Sequence, residues 1–349
     1  MKFFVLDNDE RLYSDPTYEF NKGSFGTVSE NLNKELKKLN CWANEKEADW
    51  IIHPTSLNYE FGFRNKKRAV ISSWESTELP YPLVQFGLNN KNNPNFKILS
   101  INTQTSNLWN KYGIISPVVD LATDYEFFQP QINIKKNEKF TILSVTCLNF
   151  RSGINFLLSA FRYFAENKKD KVRLIIKNTD ERAVLIPRFC DDLISMGFNV
   201  QYILERCSLQ KIRELYSKSH LLCYNVLHGG GFPTLEAAAM ELPCLISDFC
   251  QPNLYPHSEA VKCQLKPISE VRSYLCNNWG LAYTFPENWV NEATSSIYWL
   301  DEKDFVEKLE KIYQNYTFYE NQAKENRQKE IEKWNWTRSA QQLIKALEN

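Results

Sequence analysis

Residues 228–247 read HGGGFPTLEAAAMELPCLIS. Three glycines, a proline, a threonine and a glutamate stand between two apolar runs. HLLCYNV, just before them, reads as a buried strand. PTLEAAAMEL reads as a helix, with Pro233 near its first position, where a missing N–H costs nothing. Leu235, Ala238, Ala239 and Leu242 form its inward stripe, and Pro243 stops it before the next strand, CLIS. The turn therefore lies at the carboxyl edge of a parallel sheet, where α/β folds place ligands. Gly229, Gly230 and Gly231 allow close approach of backbone to a ligand, and a helix N-terminus offers amide N–H groups and partial positive charge. A phosphate or diphosphate suits such a turn; a tight turn that uses glycine for positive φ is the alternative. Glu236, placed by this reading in the first helical turn, has a different use. A carboxylate does not bind phosphate, but it accepts hydrogen bonds from vicinal hydroxyls, as acidic residues do for ribose. Phosphate at the turn and a hydroxyl acceptor beyond it describe a nucleotide or a nucleotide-sugar.

Positioning these residues requires an alternating α/β chain. KFFVL, ADWIIH, RAVISS, FKILSI and SPVVDL read as a first group of strands. FTILSVT, VRLIIK, NVQYIL, HLLCYNV and PCLISD read as a second group. Helical segments lie between them. GTVSENLNKELKKL puts Val28, Leu32, Leu36 and Leu39 on one face, and SGINFLLSAFRYFAE does the same with Ile154, Leu157, Leu158 and Phe161. Strands joined by crossover helices imply two parallel sheets. Residues 123–139, polar and carrying Pro130, read as the linker between domains 1–128 and 138–332. Trp334 and Trp336 in the polar tail mark a closing helix, 333–349, that needs an apolar surface.

The glycine stretch resembles the donor-binding motif of GT-B glycosyltransferases of family 4 (group 1), E-G-F-G-L-P-x-L-E-A. The resemblance extends along the chain, in the family's order. GSFGTVSENLNKELKKL is similar to the glycine-rich loop and helix of the N-terminal domain, and SSWESTELPY to a W-E-T-x-x-L-P motif of one branch. DLATDYEFFQP, ILSVTCLNFRSGINFLLSAF and WNWTRSAQQLIKAL are similar to the end of that domain, the start of the next and the closing helix. The resemblance implies an α/β chain of two Rossmann-like domains facing across a cleft, with helix 333–349 crossing back to the first. It implies a nucleoside-diphosphate-sugar donor, retention of anomeric configuration, and neither cofactor nor metal. Glu236 would hold the ribose hydroxyls. His228 takes the place of an acidic residue that contacts the donor sugar; histidine can exchange a hydrogen bond but supplies no negative charge. Gly230 to Thr234, with Gly231, Phe232 and Pro233 between them, would supply amides to the diphosphate, Pro233 excepted. Gly23, Ser24, Phe25 and Gly26 would close over phosphates or acceptor. Trp74 and Glu75 would line the acceptor side, and His53 either faces the acceptor or caps the turn at Pro54. One departure stands out. The family's Arg and Lys beside the diphosphate are replaced by Cys147 and Ser152, leaving Arg151 as the local cation.

Composition bounds the alternatives. A chain of 349 residues exceeds the ~250–300 at which single cores stop growing. Lys+Arg and Asp+Glu are both 42, and zero net charge argues against a broad nucleic-acid footprint. Nine cysteines without a C-x-x-C pair read as reduced thiols in a cytoplasmic protein. MKFFVLDNDERLYSD reads as a first strand rather than a signal peptide, and no apolar run approaches the ~18 residues of a membrane span. The expectation is a cytoplasmic glycosyltransferase acting on an unidentified hydroxyl acceptor: a glycan, lipid-linked sugar, protein or small molecule. A non-catalytic sugar-nucleotide-binding protein and a DNA-base glycosyltransferase are the rivals.

Overall fold

A computed structural model describes residues 1–6, 23–54, 66–73, 77–146, 153–178, 185–224, 231–250, 256–271 and 296–348, with backbone only for 23–25, 185–186 and 250. The chain divides into two compact units. One holds Met1–Asp124 and Lys333–Asn349; the other holds Tyr125–Pro286 and Glu292–Glu332. The α/β class with parallel sheets is the one read from the sequence.

The first unit is built on strands β1 (Phe3–Val5), β2 (Trp50–Pro54), β3 (Lys67–Ser72) and β4 (Phe96–Ser100). They form a parallel sheet in the order β1-β2-β3-β4. Helices α1 (Gly23–Lys38), α2 (Tyr81–Asn90) and α3 (Thr103–Asn110) connect and cover it. Val28, Leu32 and Leu36 of α1 are buried, as its periodicity requires. Gly23 to Gly26 open this helix rather than forming a loop before it. Glycine is tolerated there because first-turn N–H groups have no intrahelical partner in any case.

SPVVDL, expected as a fifth strand, makes only one isolated bridge, Ser100 to Val118. Pro117 has no N–H to give a ladder; its carbonyl accepts from Ser100 N at 2.9 Å. Beyond that bridge the segment is held by hydroxyls. Ser100 and Ser116 exchange a 2.6 Å bond, and Ser106 Oγ donates to the Ser116 carbonyl.

The second unit carries six parallel strands: β5 (Phe140–Thr146), β6 (Val172–Asn178), β7 (Val200–Ile203), β8 (Leu221–Tyr224), β9 (Cys244–Ser247) and β10 (Glu259–Val261). Their order is β10-β9-β8-β5-β6-β7. The chain winds outward from β5 to β7, returns to β8 on the other side of β5, and winds outward again. The crossovers use α4 (Ile154–Ala165), α5 (Leu185–Ser195), α6 (Leu209–Lys218) and α7 (Phe232–Ala239). An antiparallel pair, β11 (Cys263–Pro267) and β12 (Ser296–Leu300), and the third outer strand β10 have no counterpart in the sequence reading. Helices α8 (Glu302–Gln314) and α9 (Tyr316–Lys333) come next. They dock on β10 through Glu259, whose carboxylate accepts from Lys308 at 2.7 Å and from Lys311 and Tyr319 at 2.5 Å. Burial alone would raise its pKa, but these donors hold it at about 2.

The division between units falls at Asp124 and Tyr125, before the expected boundary at 128, and residues 125–137 belong wholly to the second unit. The reason is their attachment to α6. Arg213 donates to the Phe127 carbonyl at 2.8 Å and lies over the Phe127 ring, and Lys136 Nζ donates to the Ser219 carbonyl at 2.7 Å.

The tail returns to the first unit as α10 (Trp336–Glu348). Trp334, Trp336, Ala340, Leu343 and Leu347 are buried. Polar clasps fix the register: Thr337 Oγ1 to Glu35, Ser339 Oγ to the Asp120 carbonyl, and a two-way pairing of Gln342 with Asp120. Leu343→Ala should therefore lower the stability of this unit by about 2–5 kcal/mol. An earlier midpoint in denaturant unfolding, with no shift for the exposed control Leu265→Ala, would show it.

Candidate functional site

The strand order locates the site. Ligands of open parallel sheets bind beyond the carboxyl ends of the strands, where the winding reverses. Here that reversal lies between β5 and β8, which are hydrogen-bonded neighbours. The chain leaves β5 after Thr146, toward Arg151 and Ser152, and leaves β8 after Tyr224, toward His228, Gly229 and Gly230. These five residues, together with Trp74 and Glu75, lie outside the described residues. The topology nevertheless sends both sequence motifs out from the same sheet edge on adjacent strands.

The glycine turn re-enters the described residues at Gly231, the N-cap of α7, with an extended backbone at φ −165°. The sequence assigns this glycine to a ligand or to a positive φ, and the structure supplies a different reason. A β-carbon at Gly231 would collide with the Tyr224 hydroxyl. The glycine is needed for the last side chain of β8 to fold over the start of α7. Thr234 is fully buried and turns back on the same residue: its N–H and Oγ1 both donate to the Gly231 carbonyl, at 3.2 and 2.9 Å. Pro233 has no N–H. Of the amides expected to face a diphosphate, that of Thr234 is therefore already engaged.

Glu236 is the fifth residue of α7 and so begins its second turn, not its first. The helix starts at Phe232, one residue before Pro233, which displaces every later position. Its Oε2 accepts from the Tyr216 hydroxyl of α6 at 2.7 Å. Tyr216 is 1% exposed, with its ring edge-on to Phe128. The other carboxylate oxygen, Oε1, receives no donor among the described residues. Burial pushes the Glu236 pKa up to about 7, and the Tyr216 hydrogen bond acts against that rise. The Tyr216 phenol itself is driven well above its ordinary range by burial and by Glu236. Sequence reasoning misses Tyr216 because it falls on the inward stripe of α6 with Ile212 and Leu215, and periodicity counts it as core. The available signal is chemical: a buried phenol needs a hydrogen-bond partner.

A second unexpected group lies on the same edge. Lys177, next to last in β6, is 2% exposed, sits in register with Val145 of β5, and donates to the Asn178 carbonyl. A buried lysine there places its amine beside the strand that leads toward Arg151.

In the first unit, His53 lies within β2 and is 5% exposed. It does not cap a turn at Pro54, because Pro54 continues the strand opposite Ile71. Burial, and then the charge of Arg68, lower its pKa to about 4. The imidazole is neutral when folded, so stability is intact above the ordinary value near 6.5 and is lost as pH falls toward 4. Among the described residues no group of three His, Cys, Asp or Glu could hold a metal ion, and no helix is long and apolar enough to cross a membrane.

Residues 126–255 match the family described as glycosyl transferases group 1. No curated protein matches the chain at the sequence level. Three solved structures illustrate the likeness in fold. A mutant of TarM from S. aureus, in complex with fondaparinux, alpha-GlcNAc-glycerol and UDP, superposes with a TM-score of 0.58 at 10% identity, over 92% of this chain and 59% of that one. A UDP-forming alpha,alpha-trehalose-phosphate synthase from Burkholderia xenovorans gives 0.58 at 13% identity, over 93% of this chain and 78% of the other. HepE from Anabaena, in complex with UDP and glucose, gives 0.56 at 11% identity, over 94% and 83%. The chain thus spans 59% of the length of TarM. At these identities the likeness shows the fold, which is the GT-B fold of glycosyltransferases, and the group 1 match lies within the second unit.

The backbone of Gly231 is open to any residue, so its substitution tests the packing alone. Gly231→Ala should destabilise the second unit by about 1–3 kcal/mol, the usual cost of overpacking. Adding Tyr224→Phe should recover part of that loss in thermal unfolding. An unaltered melting temperature in the single variant would show that Tyr224 does not hold this turn.

Proposed function

We propose that the chain is a retaining glycosyltransferase that moves a sugar from a nucleoside-diphosphate sugar to a hydroxyl acceptor. The observation that carries this reading is Glu236. Within the region matching the group 1 family, one helical turn beyond the strand-to-helix turn of a reversal point, it presents a carboxylate with one oxygen anchored and the other open. Vicinal ribose hydroxyls donating to Oε1 complete that arrangement. The start of α7 then faces the diphosphate, with the amide of Gly231 and the helix dipole contributing positive potential.

Cleavage of the anomeric bond develops oxocarbenium character on the sugar and negative charge on the departing diphosphate. Preorganised cations and amides at the leaving group are the most effective stabilisers of that charge. Arg151 is assigned this role from the sequence. Retention results if the acceptor attacks the face from which the diphosphate leaves, one of whose oxygens accepts the acceptor proton. No step in this scheme calls for a metal. His228 is assigned to hydrogen bonding with the donor sugar. Gly23 to Gly26 are assigned to closing over the phosphates or the acceptor, and Trp74 and Glu75 to the acceptor side; His53, buried within β2, is left out of the site. Neighbours of the same fold that carry UDP support a nucleotide-sugar donor, and the cysteine usage supports a cytoplasmic setting.

Glu236→Gln should weaken nucleotide-sugar binding by about 1.5–3 kcal/mol, the range for hydrogen bonds to a charged group. Unchanged affinity in titration calorimetry would remove Glu236 from the site.

Arg151→Ala should reduce turnover by ~100-fold or more with a smaller effect on donor affinity, because its contribution grows as the leaving group gains charge. If wild type and variant bind a nucleotide-sugar equally and neither transfers nor hydrolyses it, the non-catalytic binding reading replaces this one. Loss of the family's Arg and Lys to Cys147 and Ser152 already favours that alternative.

A further inference from the structure

We propose that Tyr216 is the positioning residue of the donor site: its hydroxyl occupies Oε2 of Glu236, fixes the carboxylate plane, and presents Oε1 alone to the ribose. The inference rests on the donor-site reading above. A carboxylate oxygen has two lone pairs, so Oε1 can accept from both hydroxyls of a vicinal diol. Free rotation of the glutamate side chain would dissipate that geometry. The 2.7 Å bond from Tyr216 prevents it, and Tyr216 itself cannot swing away. Its ring is buried against Phe128, and α6 is tied to the preceding segment by Arg213 donating to the Phe127 carbonyl.

The pair also sets when the site is ready. A protonated Glu236 would carry a proton of its own where a ribose hydroxyl must donate, so binding requires ionisation. In the buried site that ionisation falls near pH 7, and the Tyr216 hydrogen bond keeps it from rising further. The other titratable groups that act on Tyr216 are Tyr224 from β8 and Cys244 from β9, and Cys244 in turn faces Glu330 of α9. Burial keeps the Cys244 thiol protonated. Among the described residues the influences on Glu236 are burial and the Tyr216 hydroxyl, with no cation supplying the charge balance. Removing the hydroxyl should therefore shift the ionisation upward, because it leaves the charged form with one donor fewer.

The test uses the full chain, with UDP-, GDP- and ADP-glucose as probes. Their diphosphates stay fully ionised from about pH 5.5 to 8.5, so a titration seen there belongs to the protein. For the tightest of the three, wild-type affinity should rise with pH and level off above about 7. Tyr216→Phe should bind roughly three- to tenfold more weakly at pH 7, with its rise displaced to higher pH and the deficit narrowing at the alkaline end. Glu236→Gln should flatten the profile, and adding Tyr216→Phe to it should cost little more, as expected of one coupled pair. If Glu236→Gln weakens binding while Tyr216→Phe leaves affinity and profile unchanged, or weakens binding equally at every pH, Tyr216 is a packing residue and the proposal fails with the donor site intact. Should the phenylalanine variant not fold, the wild-type profile alone decides, and a flat one overturns the proposal. If none of the three probes binds the wild type, the donor-site reading itself falls.

Discussion

A parallel sheet wound outward in two directions from adjacent strands cannot fill the space between the chains that leave them. In the second unit those strands are β5 and β8, and every proposed donor contact depends on that reversal. It brings the ends of β5 and β8, from which the chain continues toward Arg151 and toward the glycine turn, to one edge. It also sets α7, just after β8, and α6, just before it, near enough for Tyr216 to reach Glu236. Neither residue could form the pair without the crossover that returns the chain from β7 to β8. Packing of 125–137 on α6 then fixes one end of that crossover.

The ionisable side chains taken out of water differ in how their charge is compensated, and the difference separates structural groups from the candidate site. Burial holds His53 in the first unit and His220 in the second near pKa 4, so both remain neutral at ordinary pH. His220 accepts from the Thr141 amide at 3.0 Å and packs against Phe140 and Tyr316, which explains it as a structural group. Glu259 is half-buried with three donors and is ionised at ordinary pH. Glu236 alone of these is held near the midpoint of its titration at neutral pH, with a single donor. A carboxyl left that far from full compensation is sensitive to any further donor, and a ribose supplies two.

The main elements are legible in the sequence because buried parallel strands are short continuous apolar runs and their crossover helices carry a 3.6-residue stripe. Nine of the ten expected strands are present. The tenth, around Pro117, fails because apolar character identifies a buried segment but not a hydrogen-bonded one. Strands β10 to β12 are short or partly polar and sit at edges, where apolar runs are weak signals. The site is legible in its chemistry more than in its geometry. The sequence points to Glu236, but places it one residue too early in the helix. Spacing assigns Gly231 to a ligand, although its nearest constraint is Tyr224, because no spacing rule shows which side chain will lie over a glycine. Tyr216 lies twenty positions before its partner on another helix, and only the folded crossover brings the two together.

Energetics give the strongest reason to regard the Tyr216–Glu236 pair as functional rather than structural. Replacing a buried polar pair by apolar groups of similar shape is often neutral or stabilising, since each polar group must be desolvated on folding. Around Glu236, α7 offers Leu235, Ala237, Ala238 and Ala239, all buried. Glu236 itself is half-buried, and Tyr216 is the fully desolvated member of the pair. A folded-state pKa raised to about 7 means that stability is lost as pH rises from the ordinary glutamate value toward 7, so at neutral pH the carboxylate works against the fold. The rest of the fold offsets that cost in the free chain. A bound molecule with paired hydroxyl donors is the partner whose chemistry matches the open oxygen.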